Sequence, residues 1–295
     1  MNNPIYTGSG VALVTPMNAD GSINYPLFGE LIERQIKGGT RGLIICGTTG
    51  EASTMTDEEH IECIRFSVEK SAKRIPVIAG TGSNDTAYMV DLSVKAEKAG
   101  ANALLLMPPY YNKTSQRGLV RHFGAVADKV KIPIMLYNIP SRTGMKIELS
   151  TFKTLAEYPN VKAVKESGGD VAYFSALIRE SGLDVYSGDD YMNVPAMALG
   201  AIGTVSVMAN VVPEAASKIS ALCLENNFAE AGRLQQKYSR FMYTEGLFMD
   251  VSPIPVKHVM RLLGINVGST RLPLCDMEED KVALLKAEME KIGLL

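Results

Sequence analysis

Eight short apolar runs mark the first two-thirds of the chain, each ending in small, polar or proline residues. They are VALVTP (11–16), GLIICGTTGE (42–51), PVIAGTG (76–82), ALLLMPPYYN (103–112), PIMLYNIPSRTG (133–144), VKAVKES (161–167), VYSGDD (185–190) and GTVSVMAN (203–210). Several are almost unbroken Val, Ile and Leu, the pattern of parallel strands covered on both faces. Between them, polar and apolar positions recur at helical spacing. Residues 57–73 align Ile61, Ile64 and Val68 behind the acidic pair Asp57 and Glu58, which suits a first helical turn. Residues 84–100 end in a glycine fit for a C-cap, and 115–130 repeat the plan.

This alternation predicts repeated βαβ units, and eight of them predict an α/β fold, a closed (β/α)8 TIM barrel. An open doubly wound sheet is disfavoured because no G-x-G-x-x-G follows the first strand; GTGSN at 80–84 carries only a fragment of one. Beyond residue 212 the strand signals stop. Segments 213–226, 228–246, 253–264 and 278–293 are all helical in pattern. The first is expected to complete the ring and the others to form a helical C-terminal extension. The chain thus divides into a catalytic barrel over 1–224 and an extension over 225–295, packed on the barrel because no Gly/Ser- or Pro-rich linker precedes it.

Composition narrows the classes of function. The chain has 295 residues, 46% of them hydrophobic and 21% charged, enough to bury a large core. A formal net charge of -2 without a basic run argues against nucleic acid or an anionic membrane surface as a partner. No apolar run approaches the roughly 18 residues that span a bilayer, and MNNPIYTGSG lacks the basic-then-apolar character of a secretory signal. Cys46, Cys63, Cys223 and Cys275 form no C-x-x-C pair, which fits a reducing compartment better than a disulfide framework or a zinc site. A cytoplasmic location is expected. Asp189 and Asp190 have no nearby histidine or further acidic cluster, so no metal is expected there.

Barrels of this kind carry their active sites at the C-terminal ends of the strands. Those ends supply Thr48, Thr49 and Glu51; Tyr110 and Tyr111; Tyr137, Asn138 and Arg142; Lys165 and Glu166; Asp189 and Asp190; Ser206 and Asn210. In VKAVKE, alternation puts Val161, Ala163 and Lys165 on one face and Lys162, Val164 and Glu166 on the other. Lys162 sits near the strand's N-terminal end, where its stem can carry the charge to solvent. Lys165 sits at the catalytic end, and desolvation in a barrel interior favours a neutral, nucleophilic amine. The alternative is an ion pair with Glu166 or another carboxylate.

An amine nucleophile needs a proton shuttle. Tyr137, on the preceding strand, is a candidate, with Thr48 as a relay; it serves equally well as a core tyrosine with a satisfied hydroxyl. The GTTGE loop offers backbone N–H groups and hydroxyls to a carboxylate, or is an ordinary strand-to-helix connection. Arg142 has the planar fork that grips carboxylates, or is simply solvated. The three histidines, His60, His122 and His258, lie on helix-like segments, a poor basis for a Ser-His-Asp hydrolase.

GTTGE (47–51), PPYYN (108–112), YNIPSRTG (137–144), VKAVKESGGD (161–170), SGDD (187–190), GTVSVMAN (203–210) and PIPVK (253–257) together resemble, in order and over nearly the whole chain, the dihydrodipicolinate synthase family of pyruvate-dependent class I aldolases. The resemblance implies a barrel with a helical extension, assembled as a homotetramer of two tight dimers. It implies that Lys165 forms a Schiff base with pyruvate and that Tyr137 moves the protons. Thr48 would link Tyr137 to Tyr111, which in the family reaches across the tight-dimer interface. Thr49 and its neighbours would hold the pyruvate carboxylate. Gly188 and Val205 would line the pyruvate pocket, Val205 through its backbone.

Arg142 would receive the carboxylate of aspartate semialdehyde. The implied reaction condenses pyruvate with L-aspartate 4-semialdehyde to 4-hydroxy-tetrahydrodipicolinate, the committed step toward diaminopimelate and lysine, and needs no metal or organic cofactor. A sibling reading is a retro-aldol lyase of a sialic or other 2-keto-3-deoxy acid; such enzymes share the lysine and tyrosine but typically lack an arginine at this position. A non-catalytic small-molecule-binding barrel is disfavoured by the joint presence of Lys165, Tyr137, Thr48 and Tyr111. One departure stands out. Asp57 and Tyr88 occupy positions where lysine-inhibited members often carry histidine and glutamate, although His60, Asn84 and Tyr110 match the regulatory site. Tyr88 supplies no full charge to an effector's ammonium, so weak or absent feedback by lysine is expected.

Overall fold

The computed structural model describes residues 4–242 and 250–295, and side chains outside 239–249. Eight parallel strands close in sequence order: β1 (Gly8–Ala12), β2 (Gly42–Ile45), β3 (Val77–Gly80), β4 (Ala103–Leu106), β5 (Ile134–Asn138), β6 (Val161–Glu166), β7 (Asp184–Ser187) and β8 (Gly203–Ser206). Pairing of Gly8 with Gly203 and Gly10 with Val205 seals the ring. Helices alternate with the strands: α1 (Tyr25–Lys37), α2 (Asp57–Ser71), α3 (Thr86–Lys98), α4 (Gln116–Ala127), the single turn α5 (Pro140–Thr143), α6 (Leu149–Leu155), α7 (Val171–Glu180), α8 (Asn193–Ala198) and α9 (Pro213–Leu224). The fold is the expected TIM barrel.

Local chemistry sets the helix starts. Asn24, Asp85, Ser115 and Asp170 each accept a hydrogen bond from a first-turn N–H, and Thr56 with Glu59 forms a full capping box on α2. Each such cap stabilises its helix by about 1 kcal/mol. Two apolar layers follow from the strand alternation. Ala12, Ile44, Ile78, Leu105, Met135, Ala163 and Val205 fill the barrel interior, while Val11, Leu43, Val77, Leu104, Leu136 and Val164 pack outward against the helices.

The N-terminal mouth of the barrel is plugged by Tyr6. Its hydroxyl donates to Thr204 O at 2.9 Å, and the Tyr186 hydroxyl donates to Tyr6 O at 2.5 Å. Gly10 and Gly42 make room for this ring: a Cβ on either would come within 2.3 Å and 2.7 Å of Tyr6 atoms.

Two expectations are corrected here. The first strand starts at Gly8, not Val11, because its opening Gly-Ser-Gly carries little side-chain signal. Val161 does not share a face with Lys165: Ile134 pairs with Val161 but Met135 pairs with Ala163, so Lys162 is an extra, bulged residue. Val161 therefore packs with the outer layer, while Ala163 and Lys165 keep their inward aim.

The helical extension comprises α10 (Phe228–Met242), α11 (Ile254–Leu262) and α12 (Glu279–Lys291). The expected division after residue 224 falls in the turn between α9 and α10. α10 packs on α8 and α9, and Ala231, Val256, Val259, Met260 and Leu285 join the same apolar layer as the ring helices. The last residues of the expected helix over 228–246 lie outside the described residues.

Candidate active site

Lys165 and Tyr137 are cross-strand partners on β6 and β5, both pointing into the barrel and both only 5% exposed. Lys165 Nζ lies 3.9 Å from the centroid of the Tyr137 ring. Beside them the β7 end carries Gly188, and a Cβ there would sit 2.7 Å from Lys165 Cε and 2.0 Å from Ser167 Oγ. The bare glycine is what leaves room for the lysine stem. Val205 on β8, fully buried, completes the inner wall.

Glu166 faces the other way, which removes it as the partner of Lys165. Its carboxylate accepts from Asn138 Nδ2 at 2.8 Å and from Gly168 N at 2.7 Å. Burial pushes its pKa up to about 7, against the lowering effect of those two donors and with some help from Asp189. Asn138 also accepts from Ile147 N, so the pair ties together the ends of β5 and β6, from which Tyr137 and Lys165 project.

The GTTGE loop is bracketed by left-handed backbone at non-glycine residues, Cys46 just before it (φ 55°) and Glu51 at its end (φ 59°). Such conformations cost on the order of 1–3 kcal/mol each and persist where the surroundings over-determine them. The loop is closed by N–H groups of Gly50, Glu51 and Ala52, which donate to Gly47 O and Thr48 O; those of Thr48 and Thr49 take no part in closing it. Thr49 is buried, and Thr48 faces a pocket of about 220 Å³ that it shares with Tyr110, Tyr137 and Arg142.

Arg142 sits on α5, the single turn after β5, and its exposed guanidinium donates through Nη2 to Ser252 O at 3.2 Å. Tyr111 stands apart from this cluster within the chain. It is 94% exposed on left-handed backbone (φ 69°), a conformation that is unusual for a bulky residue.

Two other strand-end candidates, Asp190 and Asn210, are taken up in structural contacts. Asp190 accepts from the N–H groups of Val207 and Met208, and Asn210 bridges Val14 N and Ala12 O across the β1–β8 seam. Among the described residues, no three of His, Cys, Asp and Glu gather to hold a metal ion, and no helix is long and apolar enough to cross a membrane.

Strand-end reasoning missed one group near the site, Lys257. It lies on α11, is 1% exposed, and donates to Glu51 Oε1 at 2.7 Å. Burial lowers its pKa while the Glu51 carboxylate pulls it back up. A lysine inside the apolar pattern IPVKHVM was the signal, of the same kind that singled out Lys165. The Tyr88 hydroxyl donates to Asp57 Oδ1 at 2.7 Å, and burial with that contact raises its pKa to about 12.

The Dihydrodipicolinate synthetase family profile matches residues 6–292. A 4-hydroxy-tetrahydrodipicolinate synthase of Acetivibrio thermocellus is 50% identical over 295 residues, covering 100% of both chains. The crystal structure of a chloride-inhibited dihydrodipicolinate synthase from Acinetobacter baumannii, complexed with pyruvate, superposes with a TM-score of 0.94 at 39% identity, covering 98% of this chain and 99% of that one. The enzyme of Cyanidioschyzon merolae with lysine bound gives a TM-score of 0.94 at 35% identity, covering 99% of this chain and 100% of the other. With its lysine and tyrosine paired inside the barrel and this likeness running from end to end, the chain belongs to the dihydrodipicolinate synthetase family.

Proposed function

We infer that the chain condenses pyruvate with L-aspartate 4-semialdehyde through a lysine Schiff base, giving 4-hydroxy-tetrahydrodipicolinate. The observation that carries the residue roles is the placement of Lys165 Nζ 3.9 Å from the Tyr137 ring centroid inside the barrel. Lys165 attacks the carbonyl of pyruvate, and the carbinolamine loses water to form an imine. The Tyr137 phenol, with Thr48 in the same pocket, moves the protons that these steps require. The N–H groups of Thr48 and Thr49 and the loop hydroxyls receive the pyruvate carboxylate. A methyl proton is then lost to give the enamine, whose carbon attacks the aldehyde carbon of the second substrate.

Arg142, exposed and lining the pocket, receives the carboxylate of that substrate. The substrate's own amine attacks the imine carbon, closing the ring and releasing Lys165, so one water leaves overall. The reading calls for no metal or organic cofactor, because the protonated imine is itself the electron sink. A closely paired dimer, doubled into a tetramer, belongs to the same reading: Tyr111, too exposed to serve its own pocket, would complete that of its partner. Cytoplasmic location fits substrates of central amino-acid metabolism.

Borohydride reduction in the presence of pyruvate, followed by peptide mass mapping, tests the proposal. A stable adduct on Lys165 is expected. Absence of an adduct, or one on another lysine, refutes it.

A further inference from the structure

Glu51 and Lys257 lie 206 residues apart, and both side chains are 1% exposed. Lys257 Nζ spans Glu51 Oε1 at 2.7 Å and Ser269 O at 2.9 Å. The other carboxylate oxygen, Oε2, accepts from Arg271 N at 3.0 Å. Arg271 in turn donates to Gly21 O and Thr54 O and pairs with Glu59, the third residue of α2 and partner of Thr56 in its capping box. The C-terminal extension therefore grips Glu51 through both oxygens and braces the segment that follows it.

Lys257 does not line the pocket, and the mechanism above makes no use of it. Stability is a weak reason for such a pair, since apolar residues of similar volume often serve as well. Its position is the informative feature. Glu51 ends the GTTGE loop, its N–H closes the turn onto Thr48 O, and its backbone is left-handed. At the other end, Cys46 is wedged against β3: a Cβ on Gly80 would lie 2.3 Å from Cys46 O. One end of the loop is thus held by backbone packing and the other by a charge from the extension.

We propose that Lys257 and Arg271, acting through Glu51, are positioning residues that hold the pyruvate-carboxylate loop in its binding geometry. The extension thereby sets the affinity of a pocket that Lys257 does not touch. The proposal rests on the reading that this loop receives the carboxylate of pyruvate.

The test compares wild type, Lys257→Arg, Lys257→Met and the double variant Glu51→Gln/Lys257→Met. The double variant leaves no unpaired charge, so it remains informative if Lys257→Met fails to fold. The readouts are circular dichroism, Tm, the pyruvate dependence of borohydride trapping, and steady-state kcat and KM. For the folded double variant, half-saturation by pyruvate is expected to rise at least tenfold while kcat at saturation falls less than threefold, with Lys257→Arg between it and wild type. A purely structural pair would lower Tm in Lys257→Met and leave the pyruvate dependence of the double variant within twofold of wild type, which overturns the proposal. Failure of the wild type to trap pyruvate at all overturns the functional reading and this proposal with it.

Discussion

Glu166 makes the protein's stability depend on pH in a way that can be isolated. Its carboxyl is 2% exposed, accepts from Asn138 and Gly168, and has a pKa raised from 4.5 to about 7 by burial. Because the folded-state value lies above the unfolded one, folding favours the protonated form. The contribution of Glu166 is complete below about pH 4.5 and is lost as the pH rises through about 7. At 1.36 kcal/mol per pH unit, the loss amounts to about 3 kcal/mol.

Glu166→Gln mimics the protonated side chain at every pH and should lack this dependence. Tm measured for both proteins from pH 5 to 8.5 should show wild type losing on the order of 5 °C relative to the variant. Taking the difference between the two proteins cancels the other titrating groups. Parallel Tm curves would refute the argument and place the Glu166 carboxyl in an environment no worse than water.

Three further outcomes are expected. Tyr137→Phe should keep the fold and slow turnover by roughly 10²–10⁴, the usual worth of positioned acid–base help; unchanged kcat would remove Tyr137 from the proton path. Gly188→Ala forces a methyl to within 2.7 Å of Lys165 Cε, so pyruvate trapping by borohydride should slow markedly while circular dichroism stays native; trapping at the wild-type rate would show that the lysine stem has room to spare. Millimolar L-lysine should inhibit weakly or not at all, because the Tyr88 hydroxyl is engaged with Asp57 and brings no net charge; strong inhibition in an activity titration would contradict this.

The strand interiors were readable because parallel strands buried on both faces are apolar without interruption, as ALLL and GLII are. The start of β1 was not, since Gly8 and Gly10 are defined by what must fit beside them, Tyr6 for Gly10, rather than by side chains of their own. The bulge at Lys162 escaped for a different reason: a register shift is a property of two strands, and alternation within one cannot reveal it. Lys165 stood out because a lysine at the catalytic end of an apolar strand is anomalous in itself. Lys257 carried the same anomaly on a helix, but its partner is 206 residues away, and pairing across such a distance has no local signal. The exposure of Tyr111 likewise depends on how the loop leaves β4, which its composition does not encode.

The Tyr6 plug closes the N-terminal end of the barrel, and the pocket lined by Thr48, Tyr137 and Arg142 lies at the opposite end. On the proposed mechanism pyruvate is held deep, beside the buried Lys165, and the second substrate meets the exposed Arg142 nearer the surface. That mechanism has the deeper reactant seated before the second docks above it. Order of addition is then a matter of plumbing: an excess of the second substrate should obstruct loading of the first, giving inhibition at high concentration that added pyruvate relieves.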